Sequence, residues 1–365
     1  MKQLLVIAIA LASANAFATR ARVTSLGNSA HLIDTQTVYS NPADMMSMGD
    51  YVNFESGTTA VPSNTVQNQN AEGMITRSMG NSKFGLGLGN QSRNASMWGL
   101  RGLAGLGVIE SQQNPVTFVY GTKIDDTNFA GSLIYSNYND KQAGEKESSA
   151  GVRFGARGAN WDARVGIGLL NTYESSIVGK FKGNSGYSLG GGYWMDDTYL
   201  YGNADLAGFK VEDNSGNELR KFEAMVITLG ALKSIKKDGN ELFYGVGLIS
   251  TTSKTNISTP LDEVKTSSLF LPITLGMEVD AASWLTLRGS VTQSTLIANS
   301  KTDKNSGTSA ELSPGPNNTV ASIGAGLKLN KLTLDGSLQG LTGGTQSQNL
   351  SANELLTQVG LTYLF

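Results

Sequence analysis

The chain has 365 residues, 44 of them glycine, no cysteine, and a net charge of −2 at pH 7. That balance argues against a dedicated nucleic-acid partner, and the lack of cysteine excludes a disulfide scaffold. Hydrophobic residues make up 39%, low for a large soluble globule, but enough for a wall in which only alternate positions must be apolar.

In chain order, Lys2 precedes the apolar run "LLVIAIALASANAFA", which ends in small residues at Ala16 and Ala18. A charged start, a short apolar core and an A-x-A site predict a signal peptide over 1–18, cleaved before Thr19. The run is shorter than the ~20 residues of a spanning helix, so export is expected rather than anchoring.

Residues 19–49 do not alternate as strand and are expected to form a plug or periplasmic segment. "YSNPADMMSMG" carries a helix start, with Asn41 as N-cap, Pro42 at the first helical position and Asp44 in the first turn. Met45, Met46 and Met48 make this short helix apolar on most sides, so it needs cover. Upstream, "SAHLIDTQTVY" suits a turn or two of helix or an extended stretch.

From residue 50 onward, period-two alternation recurs. "WDARVGIGL" puts Trp161, Val165 and Leu169 on one face and Asp162 and Arg164 on the other, and "LTLRGSVT" and "LTLDGSLQ" behave alike. Short connections such as "DDT" (125–127), "MDDT" (195–198) and "NK" (330–331) take turns with longer polar ones. These features predict an all-β fold, a transmembrane antiparallel β-barrel over 50–365 with short turns at one end. The count is about sixteen strands, or fourteen if the runs near 50–58, 70–77 and 83–90 do not form strands. "GLGLG" at 85–89 lacks the spacing of a nucleotide loop and reads as a small-residue strand.

Trp161, Trp194 and Trp284 each stand beside a short turn, as do Phe129 and Tyr199. They predict an aromatic girdle at the membrane boundary. The final strand alternates through Val359, Leu361, Tyr363 and Phe365. It is expected to close the barrel, since an open edge is not tolerated in lipid. Apolar alternation ending on phenylalanine resembles the signal read by bacterial outer-membrane assembly machinery.

"DTQTVYSNPADM", Asp34 to Met45, resembles the N-terminal NPA motif of the FadL-type outer-membrane transport family, whose segment before the first strand folds into the barrel as a hatch. The whole chain is also similar to porin-like major outer-membrane proteins of bdellovibrios. Both resemblances imply transport across the bacterial outer membrane, with a lid or plug.

No enzyme site is expected. His31 is the one histidine and precedes the barrel, so neither general base work nor a typical transition-metal site has its residues. No cofactor is implied, and the acidic loops at 211–218 and 301–311 miss EF-hand spacing. Function is therefore sought in the lumen. Alternation aims Arg153, Arg157, Arg164, Arg288 and Lys328 inward with Asp162, Glu278, Asp280 and Asp335. Such charges suit either ion and solute selection or salt-bridging across the wall. The leading expectation is a porin passing small hydrophilic solutes. The alternatives are a FadL-like channel for hydrophobic compounds and a structural or adhesive barrel. The apolar stretch within 93–114 suits an inward constriction loop or packing against a second copy in a homo-oligomer.

Overall fold

The computed structural model describes residues 19–365 except 59–68, 91–111, 113, 178, 259–260, 305–309, 313–317 and 343–355. The signal peptide and most of the 93–114 connection therefore lie outside the described residues.

Eighteen strand segments form one closed antiparallel sheet. Two pairs of segments are broken halves of single strands. Gly179–Gly183 and Tyr187–Met195 both lie between Trp161–Ser175 and Thr198–Glu212. Ala310–Leu312 and Asn318–Leu329 both pair with Leu285–Lys304. The barrel thus has sixteen strands, and the doubtful runs near 51–58, 69–79 and 82–88 are among them. Closure pairs the first strand with the last, Tyr51 opposite Leu364 and Ser56 opposite Val359. Every edge is therefore satisfied, as a lipid setting demands.

The short turns gather at one rim. Asp125, Asp196, Asp238 and Asn330 take positive φ there, a conformation that Asp and Asn adopt more readily than other side chains. Opposite this rim the wall is uneven. Tyr51–Thr58 and Ser82–Leu88 are short, whereas Glu218–Lys237 and Leu261–Ala282 run to 20 and 22 residues.

Outward positions show where lipid lies. From the turn rim, one long strand presents Ile235, then Lys233 paired with Asp197 at 3.2 Å, then Leu229, Ile227 and Met225, and turns charged again at Glu223 and Lys221, which pair at 2.7 Å. The stretch between Lys233 and Glu223 is about 25 Å tall for a tilted strand, matching the band of an outer-membrane barrel. Trp161, Trp284 and Phe129 face outward near the turn rim, together with Tyr363 and Phe365. Trp194 and Tyr199 do not join them. Trp194 lies between the outward Tyr193 and Met195, so the pleat aims it inward, where it packs on Tyr199 at 5.0 Å.

Candidate functional site

Residues 19–50 lie inside the barrel. A helical turn, α1 (Arg20–Ser25), leans on strands 285–304, 318–329, 332–342 and 356–364. The chain then crosses the lumen to 3₁₀ turns at Thr37–Tyr39 and Pro42–Ser47, the latter against strands between 82 and 157. Asn41 and Pro42 begin that turn, the Asn41 side chain accepting from the Ala43 amide at 3.2 Å. Met45 is buried and Met46 half-buried.

Glycine makes room for this segment. A Cβ at Gly85 would lie 3.0 Å from Met45 Sδ, one at Gly87 2.8 Å from Tyr39 Oη, and one at Gly121 2.7 Å from Met46 Sδ. A Cβ at Gly155 would overlap the Asn41 carboxamide. The "GLGLG" strand is small on its inner face because the plug occupies that space.

Charge fastens the plug in three places. On the α1 side, Arg22 grips Glu278 through two bonds of 2.8 and 3.0 Å and also pairs with Asp34 at 3.0 Å. Arg288 bridges Glu278 (2.5 Å) and Asp335 (2.6 Å) just behind. Centrally, Arg20 pairs with Glu72 at 2.6 Å, and Gln36 donates to Glu55 and Glu72, each at 2.9 Å. At the far wall, Arg157 holds Asp44 at 2.7 Å and Arg153 donates to the Tyr39 carbonyl. His31 meets Glu241 at 3.1 Å beside Phe243. Burial raises the Asp44 carboxyl, against the pull of Arg157. Burial also pushes Asp34 up to about 7, opposed by Arg22.

The inward charges named from sequence thus have specific partners. Arg153, Asp162, Arg288 and Asp335 are buried; Arg157 and Arg164 flank Asp162 at 3.8 and 3.5 Å. Lys328 stands apart near the turn rim, paired with Asp280 at 2.9 Å. Reading the sequence missed Arg20, Arg22, Glu55, Glu72 and Glu241. The available signal was the pair of arginines at alternate positions in a short exported segment, with inward acids to match.

Beside the plug lies a cavity of about 610 Å³, within the usual size range of small-molecule sites. Its floor includes Gln36, Ser40 and Asn41 from the plug; its wall includes Arg153, Arg164, Ser188, Asn203 and Asp205. The lining is mostly polar and charged, with Val23, Leu32 and Val165 among it, and offers hydrogen bonds and ion pairs to hydrophilic groups.

No family profile matches the chain, and no curated protein matches it in sequence. Solved structures do resemble it. A bacterial polysaccharide outer membrane secretin shares 8% identity at TM-score 0.49, over 87% of this chain and 98% of the other. A loop-deletion mutant of OmpT, an outer membrane protein of Vibrio cholerae, shares 10% at 0.43, over 87% and 97%. The Pseudomonas putida toluene transporter TodX shares 11% at 0.39, over 94% and 96%. These likenesses concern the barrel architecture, and nothing of those proteins' activities passes to this chain.

Proposed function

We propose that the protein is a plugged channel of the bacterial outer membrane that passes small hydrophilic solutes when its N-terminal segment lets go of the wall. The observation that carries this reading is the polar cavity at Arg153, Arg164 and Asn203, bounded by a segment held through side-chain ion pairs and hydrogen bonds. Ion pairs between a plug and a wall can be exchanged for water at modest cost; release must also part the apolar contacts of Val38, Met45 and Met48 with Met74 and Val119, and of Leu26 and Leu32 with Leu232 and Phe243. Lipid contacts the outward band, and the strand ending at Tyr363 and Phe365 is the segment we assign to the assembly machinery.

A channel for hydrophobic compounds is the second reading, favoured by the hatch-like position of Asn41–Met48. The polar lining of the cavity speaks for the first. Single-channel recording of the chain from Thr19 onward in a planar bilayer separates them. Brief openings that become long in Glu278→Gln support a plugged polar channel. A closed bilayer in both proteins, with saturable binding of a fluorescent fatty acid, would replace it with the second reading.

A further inference from the structure

The cavity wall has an ordered arrangement of charge. Arg153, Gly166, Ser188 and Asp205 are opposite one another across four neighbouring strands, forming one row. The Arg153 side chain lies across Gly166, where a Cβ would come 3.4 Å from its Cγ. In the next row Gly155, Arg164, Gly190 and Asn203 follow the same order. Arg164 lies across Gly190 and donates to Asn203. Glycine between charged neighbours lets each guanidinium lie along the wall, Arg153 buried against the Tyr39 carbonyl and Arg164 part-exposed, and both border the cavity.

Two polar atoms bordering this space have no hydrogen-bond partner among the described residues. One is Asn41 Nδ2, a donor on a side chain only 2% exposed; the other is Asp205 Oδ1, an acceptor. The large majority of buried polar atoms in folded proteins are paired, and of the six unpaired side-chain atoms among the described residues these two border the cavity. Here an orphan donor belongs to the side chain that lies over Gly155 in the Arg164 row, and an orphan carboxylate oxygen lies at the end of the Arg153 row.

We propose that the cavity is a binding site for α-amino carboxylates, free or as short peptides. The solute's carboxylate faces Asn41 Nδ2 and the Arg164 and Arg153 guanidinia, and its ammonium group faces Asp205. A simple anion would leave Asp205 without a partner and repelled by its neighbour. An uncharged polyol would fill the hydrogen bonds but not balance the separated charges, and charge-assisted bonds are the stronger ones. This inference rests on the hydrophilic reading of the lumen and names its solute class.

Titration calorimetry on the detergent-folded chain from Thr19 onward tests it with four probes: L-glutamine, glycylglycine, glucose and acetate. Saturable binding of glutamine or glycylglycine, with none of glucose or acetate, is expected. Asp205→Asn should weaken binding at least tenfold. Asn41→Asp keeps the oxygen that caps Ala43 but replaces the donor with a negative oxygen, and should do the same; it carries the test if Asp205→Asn does not fold. Equal binding of glucose or acetate, no binding of either amino carboxylate, or unchanged affinity in the folded variants would overturn the assignment. Absence of binding in a protein that still opens in bilayers removes this site alone. Binding by a protein that never opens, even as Glu278→Gln, removes the channel reading and leaves the site.

Discussion

Arg22 and Glu278, 256 residues apart in sequence, are joined by two parallel hydrogen bonds inside the barrel, with Nε and Nη2 of the arginine each meeting one carboxylate oxygen. This planar pairing is the strong form of an ion pair. It links the N-terminal segment to the wall strand Leu261–Ala282.

Removing Arg22 leaves Glu278 with Arg288 alone and takes from Asp34 its ion-pair partner, a loss toward the lower end of the about 3–5 kcal/mol of a broken buried pair. Arg22→Ala should therefore loosen the segment strongly while the barrel still assembles. Amide hydrogen exchange over 20–48 should rise by two orders of magnitude or more. Unchanged exchange would show that Arg20, Arg157 and the glycine-lined fit hold the segment without this clamp.

The fit itself can be tested with one methyl group. At Gly155 a Cβ would overlap Asn41, whereas at Gly336 nothing lies within 4 Å. Gly155→Ala should lengthen channel openings, and Gly336→Ala should behave as the parent. The two variants should migrate alike as folded barrels on gels. Equal gating in both would mean that the Asn41 turn moves aside freely.

Docking should also depend on pH. Burial holds the Asp34 carboxyl near 7 in the seated segment, and in water it returns to about 3.9. Between those values the seated form binds a proton that the released form does not. Stability of docking therefore falls as pH rises from about 4 to about 7, by up to tenfold per unit, and levels off above. Open probability should climb over that range in the parent and climb less steeply in Asp34→Asn, where the buried Asp44 carboxyl still contributes a slope of the same sign. An undiminished slope in Asp34→Asn would assign the effect to other groups.

The outer face makes a separate prediction. Ile323 is 61% exposed on a strand whose neighbouring outward positions are apolar. Ile323→Arg should destabilise the barrel in lipid by about 2–4 kcal/mol if this position is near the membrane midplane. Urea unfolding from phosphatidylcholine vesicles measures it; a loss below about 1 kcal/mol would place Ile323 at the interface instead.

The barrel was legible in the sequence because its rules are local. Alternation at Trp161–Leu169 sets the faces, and turn chemistry at Asp125 or Asn330 sets the rim. The same locality misplaced Trp194, since nearness to a turn says nothing about which face of the pleat a side chain takes. A register shift between Ala150 and Gly151 has a similar effect: on the facing strand Leu169 and Leu170 are both exposed, and inward positions resume at Asn171 and Tyr173. What the inward charges touch was not legible at all. Asp335 could be assigned to the lumen, but nothing near it in sequence announces Thr19 and Arg288 as its neighbours.

The Thr24–Gln358 hydrogen bond joins residues 334 positions apart. The wall that receives α1 is built from strands at the far end of the chain, between Leu285 and Leu364. A segment that emerges first therefore has no complete seat until the final strands have been placed. The strand that completes this seat, Leu356–Leu364, is the same one that closes the seam against Tyr51–Thr58. One strand thus serves both the cylinder and its occupant, so a fault in the last strands is also a fault in the gate.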